Sequence, residues 1–211
     1  MLATMIFLAS MFDFMDGLTA RNLNAYSEVG KQLDSLADMV TFGVVPGMIL
    51  FNMLVNRDIS EESNSSFLFG IFKYFPFILT VFTAIRLAKF NTDQRQANTF
   101  YGLPSPAMGI LVTSFPLIIK YGSWHLAPFL SSPFFIFSVS IILSLLMVSK
   151  IKLFALKFKT MKWEENKIQF IFLIISVLLF AVFLFTAIPM IITLYIVLSI
   201  INNTYLNRAS L

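Results

Sequence analysis

The sequence predicts an all-α fold, a polytopic transmembrane helix bundle of about seven helices, read as a single integral membrane domain over residues 1–211. Three observations lead there. Of the 211 residues 58% are hydrophobic and only 12% are charged, with a mean hydropathy of +0.83, which excludes a soluble domain of ordinary composition. Apolar stretches of membrane-spanning length recur along the chain. The connecting segments alternate between rich and poor in Lys and Arg. The absence of cysteine excludes disulfides and thiolate metal sites. A net charge of +4 spread over loops is no nucleic-acid signal, and the 25 phenylalanines suit lipid-facing helix surfaces.

The expected helices run over about 1–20, 34–56, 67–90, 104–121, 132–149, 168–186 and 188–203. The first is marginal, because only about 18 Å of helix precedes Asp13 against a hydrocarbon core of about 30 Å. Between the second and third lies an acidic polar loop with Asp58, Glu61 and Glu62. The last two helices form one apolar stretch too long for a single crossing, so a reversal is expected at Pro189. One long, kinked or tilted helix is the competing reading.

The segments 21–33, 86–103, 150–167 and 204–211 carry most of the Lys and Arg, including Arg21, Lys31, Arg86 and Lys89. The alternate segments hold only Arg57, Lys73 and Lys120. The positive-inside rule places the first set, with its Lys-rich 150–167 loop, in the cytoplasm. That loop also suits anionic lipid headgroups. The alternation puts Met1 outside with no basic leader, which predicts one more helix upstream in intact relatives. Trp124, His125 and Trp163 fall at the expected interfaces, where anchoring suits His125 better than catalysis does.

Four aspartates sit in or beside these apolar stretches, at a cost of roughly 2.5–3.5 kcal/mol each on insertion scales. Asp13 and Asp16 are three residues apart and Asp34 and Asp38 four apart, so each pair shares one face of its own helix. If the two helices are neighbours, the carboxylates converge, and such a cluster repels itself unless it holds divalent cations. Two aspartates alone would leave an ion or proton relay open.

The residues between them form a longer pattern. Asp13, Asp16, Gly17, Ala20, Arg21, Gly30, Asp34 and Asp38 fit D-x2-D-G-x2-A-R-x8-G-x3-D-x3-D without a mismatch. This resembles the signature of the CDP-alcohol phosphotransferases, integral membrane enzymes that build phospholipid headgroups. Phe42-Gly43 and Pro46, the segment Arg86–Asn91 and Tyr101–Pro106 narrow the resemblance to the serine-accepting branch, over about residues 1–115.

The resemblance implies attack of the L-serine hydroxyl on the β-phosphorus of CDP-diacylglycerol, releasing CMP. It implies two divalent cations, Mg2+ or Mn2+, held by Asp13, Asp16, Asp34 and Asp38, with Asp38 also the candidate general base. Gly17, Ala20, Arg21 and Gly30 go to the CDP moiety. Lys31 reaches phosphate in one reading and solvent in another. Arg86, Lys89 and Asn91 are candidates for the serine carboxylate or the lipid phosphate, with positive-inside anchoring the alternative for the two basic residues. Carboxylate oxygens suit these hard cations, glycines allow a nucleotide close to the helix backbone, and Arg21 offers a planar fork to phosphate. Asp13 lies about 12 Å of helix from Arg21, which sets the site just inside the cytoplasmic face. A homodimer in the cell membrane is implied as well. Another acceptor, such as glycerol 3-phosphate or inositol, and a protein of this fold without turnover are the alternatives.

Overall fold

The computed structural model describes residues 2–23, 27–58, 71–92, 100–122, 124–154 and 166–209. The first helix, α1, spans Leu2–Asn22. Ser27 then caps α2 (Glu28–Met39), its hydroxyl accepting from the Gly30 amide at 2.9 Å. A serine cap satisfies one of the amides that a helix start leaves free. The helix therefore begins at Glu28, before the apolar stretch that hydropathy marks from residue 34.

α2 runs without a break through a five-residue π turn, Val40–Val44, into α3 (Val45–Asp58). Pro46 accounts for the widened turn, since a proline ring inside a helix collides with the carbonyl four residues before it, here that of Phe42. The turn packs tightly. Phe42 and Gly43 are buried, and a Cβ on Gly43 would stand 3.1 Å from that of Thr83. The Thr80 hydroxyl donates to the Gly43 carbonyl at 3.1 Å.

A 3-10 turn, Phe75–Phe77, leads into α4 (Ile78–Thr92), which packs on the π turn and on α6 (Pro133–Val148). α5 (Ser105–Tyr121), the central helix, packs against α1, α3 and the π turn. Nine of its 17 residues are buried, among them Met108, Val112 and Phe115. They meet Phe42, Leu50, Leu54, Leu79 and Ile136 in the main core. Gly109 allows this crossing, because a Cβ there would stand 2.9 Å from the Phe42 ring.

One departure from an all-α fold is a two-residue ladder. β1 (Phe100–Tyr101) pairs antiparallel with β2 (Lys152–Leu153), joining the entry of α5 to the exit of α6. Gly102 follows with φ +71, and a Cβ there would collide with the Met147 carbonyl oxygen. Only glycine serves at such a position.

The last apolar stretch folds back on itself. α7 (Lys167–Phe183) ends in a 3-10 turn, Leu184–Thr186, with Leu184 at φ 48, and α8 (Ala187–Ala209) returns. The rings of Phe172 and Tyr195 meet at 5.7 Å across this hairpin, which excludes a single long helix. The reversal comes at Leu184–Thr186, three to five residues before the expected Pro189. Proline is tolerated in the first turn of a helix, and Pro189 takes that place in α8.

Seven long helical segments stand among the described residues, but the third, expected over 67–90, becomes a regular helix only at Ile78, after the turn around Pro76. Two stretches, Glu28–Asn56 and Lys167–Asn203, are long and apolar enough to cross a membrane. Ser105–Tyr121 and Pro133–Val148 are shorter apolar helices. Leu173, Ile174, Val177, Leu178 and Val182 of α7 are exposed, leaving an apolar outer surface. The acidic loop with Glu61 and Glu62, the start of the third expected helix, and Lys157, Lys159, Lys162 and Trp163 lie outside the described residues.

Candidate active site

The four aspartates come from two helices with separate supports. α1 rests mainly on α5, with α3 and the π turn beneath it, while α2 rests on α4 and on the π turn that continues it. Between them the carboxylates interact. Asp13 lies close enough to Asp34, Asp16 and Asp38 for their carboxylates to act on it electrostatically. Asp34 feels Asp16, and Asp38 feels Asp34. Asp13 and Asp38 are half-buried, whereas Asp16 and Asp34 are exposed. The three- and four-residue spacings put each pair on one helix face, and the fold turns the two faces toward each other.

Among the described residues, a guanidinium offsets part of this charge. Arg86, on α4, acts electrostatically on Asp38. Its Nη1 donates to Ser105 Oγ at 2.9 Å, and Ser105 is fully buried at the start of α5. The Nε of the same guanidinium is buried with no hydrogen-bond partner. A buried guanidinium N–H without an acceptor is costly, so this edge of Arg86 suits an anion.

The other candidates lie on α1, α2 and α4. Lys31 Nζ donates to the Asn91 carbonyl at 3.3 Å, and Asn91 Nδ2 donates to Ser35 Oγ at 2.8 Å. Lys89 is exposed in the last turn of α4. Gly30 sits in the capping turn of α2, where a Cβ would stand 2.9 Å from Ser27 Oγ, so the cap itself restricts this position. Gly17, Ala20 and Arg21 lie in the later turns of α1, and the surroundings of their side chains fall outside the described residues. His125 is exposed in a short 3-10 turn, away from the aspartates in sequence and in fold.

The sequence reading missed Ser35 and Ser105. Each is a short hydroxyl whose role appears only when a partner 56 or 19 residues away in the chain is brought beside it. Their positions offered a signal: Ser35 lies inside the D-x3-D element, and Ser105 follows Pro104 at a helix start.

A divalent cation fits this donor set by its chemistry. Four carboxylates supply hard oxygen ligands, and Arg86 balances only part of their charge. Among the described residues, no three His, Cys, Asp or Glu side chains already stand around one point at coordination distance. The fit therefore rests on donor type and on pairing across the two helices.

The family model described as CDP-alcohol phosphatidyltransferase matches residues 1–146, which contain all four aspartates and Arg86. The chain is 34% identical over 159 residues to CDP-diacylglycerol–serine O-phosphatidyltransferase of Bacillus subtilis (strain 168), covering 70% of this chain and 71% of that protein. It is 31% identical over 201 residues to the enzyme of the same name from Helicobacter pylori (strain 26695), covering 93% and 76%. Archaetidylserine synthase of Methanothermobacter thermautotrophicus is 28% identical over 154 residues, covering 70% and 55%.

Proposed function

This chain belongs to the CDP-alcohol phosphatidyltransferase family and is an enzyme of that type, and from that premise we propose that its acceptor is L-serine. The reaction transfers the phosphatidyl group of CDP-diacylglycerol to serine, giving phosphatidylserine and CMP in phospholipid biosynthesis. The observation that carries this reading is the interaction of Asp13 and Asp16 with Asp34 and Asp38 across two helices, beside a guanidinium with an unpartnered edge. The names of the relatives favour serine over glycerol 3-phosphate or inositol.

The four aspartates would hold two divalent cations, Mg2+ or Mn2+, and two cations there supply charge stabilisation for the entering and leaving oxygens of a pyrophosphate. The chain's own groups do the rest. The serine hydroxyl oxygen forms a bond to the β-phosphorus of CDP-diacylglycerol, while the bond from that phosphorus to the bridging oxygen breaks and CMP leaves. Asp38, half-buried at the meeting of the two faces, takes the hydroxyl proton. Arg86 is held by Ser105 at one nitrogen and offers Nε to the serine carboxylate or the lipid phosphate. Arg21 and the backbone around Gly17, Ala20 and Gly30 receive the CDP moiety, with Lys89 at the exposed end of α4 near the headgroups.

The fold suits a lipid donor. The apolar outer surface of the α7–α8 hairpin and the further apolar helices favour a multi-pass protein of the cell membrane. The Lys and Arg distribution favours a cytoplasmic site. Acyl chains then stay in the bilayer while the nucleotide is approached from water.

Membranes carrying the protein, supplied with CDP-diacylglycerol, Mn2+ or Mg2+ and labelled serine, glycerol 3-phosphate or inositol, test the acceptor. Label in phosphatidylserine with matching CMP release is the expected result. Product formed only with another alcohol refutes serine. No product from any alcohol points to a protein of this fold without turnover.

A further inference from the structure

α2 carries half of the aspartates yet has no buried side chain, and its apolar Val29, Leu33 and Leu36 are exposed. Apolar packing therefore does not set its orientation. Its C-terminal end is fixed by the π turn, where Phe42 is buried, and its start is closed by the Ser27 cap. The turn bearing Asp34 and Asp38 lies between, in a helix about 18 Å long.

A closed set of hydrogen bonds spans that interval. Ser35 Oγ donates to the Lys31 carbonyl at 3.1 Å, so its lone pairs are left to accept. Asn91 Nδ2, from the last turn of α4, donates to Ser35 Oγ at 2.8 Å. Because the hydroxyl proton is already used, only the amide nitrogen of Asn91 fits there, which fixes the orientation of its side chain. Lys31 Nζ completes the clasp by donating to the main-chain carbonyl of Asn91 at 3.3 Å. Ser35 adjoins Asp34 in the chain and stands one helical turn before Asp38, so the clasp grips α2 at the level of its carboxylates.

We propose that Asn91 and Ser35 are positioning residues, a clasp between α4 and α2 that aims Asp34 and Asp38 at the aspartates of α1. Asn91 and Lys31 then serve the site through α2, and neither contacts serine or phosphate. The proposal rests on the metal-binding role given above to the four aspartates.

The test is a Mn2+ titration of the purified full chain in detergent, read by the electron paramagnetic resonance signal of free Mn2+, for the wild type and for Ser35→Ala, Asn91→Ala, the double variant and Ser35→Thr. Each alanine variant should weaken Mn2+ binding by roughly 3- to 10-fold, the loss expected from one hydrogen bond. The double variant should be no weaker than Ser35→Ala, because the bond between Asn91 and Ser35 is already lost in each single variant. Ser35→Thr keeps the hydroxyl and should bind Mn2+ as the wild type does. The KM for the acceptor should stay unchanged in every variant.

Wild-type Mn2+ affinity in Asn91→Ala with a raised acceptor KM would make Asn91 a substrate contact and overturn the proposal. Multiplying effects in the double variant would overturn it too, as would a wild type that binds no Mn2+. A wild type that couples the clasp to Mn2+ but makes no phosphatidylserine leaves the clasp standing and removes serine as acceptor. Phosphatidylserine synthesis with unchanged Mn2+ affinity in all variants does the reverse.

Discussion

α2 and α5 hold their places by opposite means. α5 buries nine of its 17 residues, and its position is set by volume: Gly109 against Phe42, and Met108 and Val112 in the core. α2 buries none of its 12 and is set by a cap at one end, a π turn at the other and a clasp to α4 between them. A helix placed by packing offers no face to a ligand. A helix placed by its ends and by hydrogen bonds leaves a face free, and α2 spends that face on carboxylates. Ser105 joins the two regimes, since it begins the packed helix and fixes the guanidinium beside Asp38.

The contrast can be broken at either helix. The largest effect belongs to Asp38→Asn. Removing the cation ligand and base proposed for this position should lower turnover by on the order of 10^3-fold or more. The protein should still reach the membrane with unchanged thermal stability in detergent, because the residue is only half-buried. Retained activity, measured as CMP release, would remove the assignment of Asp38 as base.

Met108→Ala on α5 should do the opposite. Truncating a fully buried methionine costs about 2–5 kcal/mol, which a detergent melting curve would register as a clear drop. The Mn2+ affinity of the protein that remains folded should not change. A melting temperature equal to that of the wild type would mean that α5 is not held by packing.

Ser105→Ala tests the junction. It leaves Arg86 Nη1 without its acceptor, and a hydrogen bond to a charged group is worth about 1.5–3 kcal/mol. Phosphatidyl transfer should fall about tenfold or more, with Mn2+ binding nearly intact, in assays at saturating Mn2+. The smallest effect belongs to Leu36→Ala on the exposed side of α2, 56% accessible, which should shift stability by no more than about 0.5 kcal/mol. A loss comparable to that of Met108→Ala would show that α2 is packed after all.

The part of this arrangement that is local in the chain was legible in the sequence. The spacing of Asp13, Asp16, Asp34 and Asp38 fixed two helix faces, and hydropathy located the seven helical segments. What was not legible depends on distant partners or on small energies. The start of α2 at Glu28 comes from the Ser27 cap in a polar stretch that hydropathy passes over. The π turn needs Pro46 together with Thr80 and Thr83 from another helix. The hairpin reverses at Leu184, whose side chain carries no turn signal, while the visible Pro189 is absorbed into a helix start. The β1–β2 ladder is two residues deep, too short for any alternation to appear. The Asn91–Ser35 hydrogen bond joins residues 56 apart in the chain, so no local pattern marks it.

The central claim is that α1 and α2 contribute to one cation site. It is tested most directly by comparing Mn2+ binding to the purified wild type with binding to Asp13→Asn on α1 and Asp38→Asn on α2. The account predicts that each substitution weakens Mn2+ binding by at least about tenfold, since each removes a charged oxygen ligand. Unchanged Mn2+ affinity in Asp13→Asn, with loss confined to the α2 variant, would contradict it.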